Sequence, residues 1–202
     1  MNLPNQLTLL RILLTPVFVI LLLKDTGASR YASVLVFFIA SITDWYDGYA
    51  ARKFDDVSKW GKFLDPLADK ILISSGFVCF YILGYVPGWM IFVMISRDVL
   101  ITCLRTYALV KGKTFQTNFF AKIKTFSQCS ILYFIFIYHL LIREGYLVSL
   151  TGKMDSLNVM LILSGFITVI TVTSGIVYFI ENRSHVRHLI NDIYHIFVPS
   201  DT

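Results

Sequence analysis

Residues 41–70 read SITDWYDGYAARKFDDVSKWGKFLDPLADK, and the fold is decided by how this stretch is read. It sets Asp44, Asp47, Asp65 and Asp69, together with Gly48, Ala51, Arg52 and Gly61, between two apolar segments. Residues three or four apart share a helix face, so Asp44 with Asp47, and Asp65 with Asp69, each make a two-carboxylate claw. If the first pair ends one helix and the second begins the next, the turn between them gathers four carboxylates in one cavity. Four like charges repel in a low-dielectric site unless cations accompany them. Two divalent ions would match them charge for charge, and all-oxygen ligation favours a hard ion such as Mg²⁺ or Mn²⁺. A structural Ca²⁺ loop of the EF-hand kind packs its ligands into one short segment. Here they are divided between two.

Outward from this stretch the chain is apolar. Of 202 residues 56% are hydrophobic, and the mean hydropathy is +0.68, above what a soluble domain carries. A helix needs about 20 apolar residues to cross a bilayer. The apolar runs predict six spans, near 7–24, 31–53, 62–83, 88–110, 119–142 and 157–180. Val186, Leu189, Ile190, Ile193 and Phe197 recur at helical spacing opposite His185, His188 and Asp192, which predicts an amphipathic helix lying on the membrane. The expected fold is therefore all-α: an integral membrane bundle of six transmembrane helices with an interfacial C-terminal amphipathic helix. With no internal repeat, low-complexity run or linker, residues 1–202 read as one domain.

Lys and Arg accumulate on the cytoplasmic side of a membrane protein. Arg52, Lys53, Lys59, Lys62, Lys111, Lys113, Lys122, Lys124, Arg183 and Arg187 fall at one set of span ends, against Lys24, Arg30, Arg143 and Lys153 at the other. This places both termini and the aspartate stretch on the cytoplasmic face of the inner membrane. The first apolar run lacks a basic leader and a small-residue cleavage site, so it reads as a retained span and not a signal peptide. Cys79, Cys103 and Cys129 lie within spans without paired spacing, which argues against a disulfide framework. The net charge of +5 suits anionic lipid and anionic substrates. Because the basic residues flank spans instead of forming one patch, nucleic-acid binding is excluded.

Several polar residues sit where an apolar span ordinarily has none. Arg11 lies one turn beyond Thr8 and two beyond Asn5, inside an apolar run, and a charge at that depth faces a cavity or a partner. The fourth span holds Arg97, Asp98 and Arg105. Asp98 and Arg105, seven apart, share a face, while Arg97 suits an internal ion pair as well as a substrate contact. Arg105 is about 7–8 Å from the cytoplasmic end, level with the carboxylates, which favours it as a phosphate ligand. Lys122, Lys124 and Thr125 open the fifth span, followed by Gln128. Pro66 between Asp65 and Asp69 reads as a first-turn proline. Gly165 and Gly175 make the sixth span a packing or homodimer surface. His185 and His188 lack a third ligand for a zinc site.

Written out, Asp44-x2-Asp47-Gly48-x2-Ala51-Arg52-x8-Gly61-x3-Asp65-x3-Asp69 matches without a gap the signature of the CDP-alcohol phosphatidyltransferase family. Asn5-x2-Thr8-x2-Arg11 and Lys122-x-Lys124-Thr125 are similar to motifs of its bacterial members that make phosphatidylglycerophosphate. The chain departs from them at Ala121, where Gly is frequent, and at Arg97-Asp98 and Arg105-Thr106, where Arg-Glu is common. The resemblance implies a CDP-diacylglycerol donor bound by Asn5, Thr8, Arg11, Gly48, Ala51, Arg52 and Gly61. It implies two Mg²⁺ or Mn²⁺ ions on Asp44, Asp47, Asp65 and Asp69, with Asp69 also the base that takes the acceptor proton. The basic set Arg105, Lys122 and Lys124 points to a phosphorylated acceptor, and glycerol 3-phosphate is the expectation. Inositol phosphate or serine as acceptor, and an ion or proton transporter of another class, stay open from the residues alone.

Overall fold

The computed structural model describes residues 3–54, 59–110, 119–145 and 159–183, with side chains for 6–44, 46, 67–108, 123–145 and 159–183. These residues form six helices: α1 Leu3–Lys24, α2 Gly27–Phe54, α3 Lys59–Ile82, α4 Gly88–Val110, α5 Phe119–Arg143 and α6 Val159–Glu181. Each expected span coincides with one of them, and α4 has the expected bounds. The C-terminal amphipathic segment lies outside the described residues.

Among the described residues, three helices are long and apolar enough to cross a membrane on composition alone, over Gln6–Lys24, Ile123–Arg143 and Val159–Glu181. The other three have the length, at 28, 24 and 23 residues, or about 35–42 Å at 1.5 Å per residue. Charges within α2 and α4 lower their average. All six carry bare apolar side chains outward, among them Leu13, Ile42, Ile71, Phe92, Phe126 and Ile162. An outer surface of this kind is stable against lipid and not against water, and the chain is a multi-pass membrane protein.

Inside, α1 packs on α2 and α3; α6 packs on α4 and α5; α3 and α5 join the two groups. Lipid tails are as apolar as the side chains, so close packing and not burial from water holds such helices together. Four phenylalanines from α1, α2, α3 and α5 provide that packing: Phe37 and Phe136 have ring centroids 5.1 Å apart, and Phe18 and Phe80 lie 5.8 and 4.8 Å from Phe136. The register of α3 against α5 is fixed at two points. A Cβ added to Gly76 would stand 3.2 Å from Leu132 Cδ2, and Phe80 meets Phe136. The same sequence offset separates both pairs, so the helices run parallel. Carried back along parallel axes, the same offset puts Gln128 level with Leu72 and Thr125 level with Asp69.

The two short connections are set by local chemistry. Between α1 and α2, the Thr26 N–H donates to Ser29 Oγ at 2.9 Å while the Arg30 N–H donates to the Thr26 carbonyl, so Ser29 caps the start of α2. After α3, the Tyr85 N–H donates to the Phe80 carbonyl and the Gly84 N–H to that of Tyr81. This Schellman closure requires the left-handed backbone that Gly84 supplies at φ 82°. α3 starts at Lys59, so the first-turn reading of Pro66 is corrected: the proline is two turns in and cannot donate to the carbonyl of Lys62. The segment Lys59–Lys62 is too polar to read as span, yet the helix runs on because its amides bond within it.

These connections meet the end of α5 in an ion cluster. Asp25, at φ 49°, accepts from His139 Nε2 at 3.1 Å and pairs with Arg143 at 2.7 Å and Arg30 at 3.4 Å. Arg30 also reaches Glu144 at 3.3 Å, and the Tyr85 hydroxyl donates to His139 Nδ1 at 2.9 Å. Two acids and two arginines compensate one another here, tying the α1–α2 link to α5 and to the α3–α4 turn.

Candidate active site

The opposite end of the bundle holds the other charges. α2 is helical through Phe54, so Asp44 and Asp47 lie on one continuous helix and share a face; Asp65 and Asp69 do so on α3. Side chains at Asp47, Gly48, Ala51, Arg52, Gly61, Asp65, Asn5 and Lys122 fall outside the described set. The Asp44 and Asp69 side chains are described. Cys129 on α5 lies within electrostatic reach of both.

Arg11 answers Asp44. Its guanidinium, on a side chain with no solvent exposure, places Nη1 2.6 Å from Asp44 Oδ1, while the Asp44 side chain stays 45% exposed. One carboxylate oxygen is therefore fixed by α1 while the group as a whole stays open to a ligand. Thr8, one turn before Arg11, is buried. Asp69 is half-buried, with Lys70, Arg11, Lys124 and Asp98 as its near charges.

A second ion cluster closes the α4 and α5 side. Asp98 accepts from Arg97 Nη1 on Oδ1 at 3.0 Å and from Lys124 Nζ on Oδ2 at 2.5 Å, and both Asp98 and Lys124 are buried. The second Arg97 nitrogen donates to Ser174 Oγ on α6 at 2.9 Å. Gly175 makes room for this: a Cβ there would stand 3.2 Å from Arg97 Cγ. Arg105, two turns beyond Asp98 on α4, is half-buried and lies within reach of Lys70 and Tyr178.

Of the residues singled out from sequence, the structure gathers Arg11, Asp44, Asp69, Arg105 and Lys124 at one end of the bundle. Sequence reasoning left Arg97 between two uses, and the structure shows the internal pair. It did not find Ser174 and Gly175 as the support for Arg97. The signal was present: Ser164, Thr168, Thr171, Ser174 and Tyr178 recur at three- and four-residue steps, and all are buried. The small-residue face of α6 is thus turned into the chain.

No group of three or more His, Cys, Asp or Glu poised around a metal occurs among the described side chains, a set that lacks Asp47 and Asp65. What is described suits a divalent ion: two carboxylates from adjacent helices, hard oxygen donors only, one of them paired with Arg11 and 45% exposed.

A helical membrane bundle with aspartates at one end, backed by buried arginine and lysine, is suited to phosphate chemistry at the membrane. The family model of CDP-alcohol phosphatidyltransferase matches residues 1–177, and the chain belongs to that family. It is 42% identical over 139 residues to a Bacillus subtilis (strain 168) protein named CDP-diacylglycerol--glycerol-3-phosphate 3-phosphatidyltransferase, covering 63% of this chain and 72% of the relative. Proteins of the same name from Escherichia coli (strain K12) and Shigella flexneri serotype 5b (strain 8401) are each 34% identical over 133 residues, at the same coverage.

Proposed function

We propose that the chain transfers the phosphatidyl group of CDP-diacylglycerol to glycerol 3-phosphate, forming phosphatidylglycerophosphate and CMP. The observation that carries this is the gathering at one end of the bundle of Asp44, paired with Arg11, and Asp69, which has Arg11, Lys124 and Asp98 among its near charges, in a chain whose relatives bear that name.

All six helices cross the inner membrane, with the aspartate end towards the cytosol. The donor's acyl chains stay in lipid while its pyrophosphate enters between α2 and α3. Two divalent ions, Mg²⁺ or Mn²⁺, held by Asp44, Asp47, Asp65 and Asp69 would neutralise the pyrophosphate and polarise the attacked phosphorus. Asn5, Thr8, Arg11 and Arg52 bind the donor, and Gly48, Ala51 and Gly61 let it approach the backbone. Arg105, Lys122 and Lys124 hold the acceptor phosphate, Lys124 from a position fixed by Asp98. Asp69 takes the proton of the acceptor hydroxyl as its oxygen bonds to the phosphorus carrying the diacylglycerol. The bond from that phosphorus to the CMP oxygen breaks, and CMP leaves.

The test is CMP release by the purified protein in detergent, with Mg²⁺ or Mn²⁺, CDP-diacylglycerol and a panel of glycerol 3-phosphate, inositol phosphate and serine. Release is expected with glycerol 3-phosphate and to stop on chelation. Faster turnover of another acceptor overturns the acceptor assignment, and ion flux in liposomes without nucleotide turnover overturns the enzyme. Full turnover by Asp69→Asn removes Asp69 as the base.

A further inference from the structure

Lys124, Gln128 and Leu132 follow at four-residue steps on α5 and share a face. Lys124 reaches Asp98 and Leu132 abuts Gly76, so this face is turned inward, towards α4 and α3. Gln128 is 2% exposed, and its Oε1 is buried without a hydrogen-bond partner among the described residues. A buried carboxamide oxygen left unpaired is costly, and in native structures it usually marks a function or a ligand. The α3–α5 register places it level with Leu72, about 4.5 Å deeper along the axis than Asp69.

The chemistry of that position is specific. A carboxamide oxygen accepts hydrogen bonds and repels phosphate oxygens, so it suits a hydroxyl. It lies below the carboxylate proposed to deprotonate the attacking hydroxyl and one turn from the lysine proposed for the phosphate. An acceptor spanning these three points carries a phosphate, a reacting hydroxyl and a second hydroxyl. We propose that Gln128 accepts a hydrogen bond from the second, non-reacting hydroxyl of the acceptor and thereby selects a vicinal-diol phosphate. This rests on the phosphorylated-polyol acceptor of the preceding section.

The test compares kcat/KM for glycerol 3-phosphate with that for 3-hydroxypropyl phosphate, which lacks only the middle hydroxyl, in the full-length wild type, Gln128→Leu and Gln128→Met. Methionine keeps the length and flexibility of glutamine and serves where leucine fails to fold. Wild type is expected to favour glycerol 3-phosphate by about tenfold to a hundredfold, the range of one buried neutral hydrogen bond. In the variants that ratio falls to within about twofold of unity. An unchanged ratio overturns the proposal, whether both rates fall together, as packing damage would make them, or neither does. Wild-type enzyme that releases CMP with neither phosphate refutes the acceptor class itself, and the role of Gln128 with it.

Discussion

Replacing Asp98 by Asn removes the one negative charge between two buried cations while keeping the side chain's shape. Arg97, Asp98 and Lys124 have side chains only 12%, 7% and 5% exposed, so little solvent is at hand to take over the lost partner. Breaking a buried ion pair by removing one member costs about 3–5 kcal/mol, because the remaining charge stays buried. For a chain of this length that lowers Tm by about 6–20 °C. Thermal unfolding in detergent reads the loss directly, and a cycle with Lys124→Met isolates the pair. The double variant is expected to be more stable than the sum of the single losses predicts, by about 0.5–3 kcal/mol, since apolar replacement of a pair costs less than orphaning one charge. A single variant within about 0.5 kcal/mol of wild type, or strict additivity in the cycle, refutes the claim that Asp98 holds these cations in place.

Gly175→Ala puts a Cβ 3.2 Å from Arg97 Cγ; it should loosen the bond from Arg97 to Ser174, cost about 1–3 kcal/mol and raise KM for the acceptor more than for the donor in steady-state kinetics. Arg11→Met removes the Arg11 pair of Asp44, but that carboxylate is 45% exposed, so screening limits the loss to about 1 kcal/mol while CMP release falls at least tenfold. Asp25→Asn at the far end should lower Tm and leave both KM values unchanged, because its partners Arg30, His139 and Arg143 lie at the end of the bundle opposite the aspartates.

The helices were legible because a bilayer imposes a length on apolar runs, a signal that the three charges of α4 weaken without erasing. The start of α3 was less so: Lys59 and Lys62 read as boundary charges, but the boundary of the apolar run is not the boundary of the helix. The aspartates could be read from spacing within one stretch. Pairings between helices could not. Lys124 and Asp98 are 26 residues apart, Arg97 and Ser174 are 77, and Asp25 and His139 are 114. Helical periodicity says which residues share a face and leaves open which helix that face meets. Arg30 and Arg143 were informative for topology alone, since a charge count carries no geometry.

The carboxylates at the site end differ in what they can still bind. Asp98 has each oxygen committed to a separate cation, Oδ1 to Arg97 and Oδ2 to Lys124, and it is 5% exposed overall. Any ligand would have to displace a partner from a group that cannot bear to lose one. Asp44 is paired with Arg11 through Oδ1 and has nearly half its side chain exposed, so a cation can approach it from the open side. Both residues lie within a long apolar helix, and both are paired with arginine. Exposure separates the group that positions its neighbours from the group that can ligate: Asp98 is closed in between its two cations, whereas the Asp44 side chain is 45% exposed.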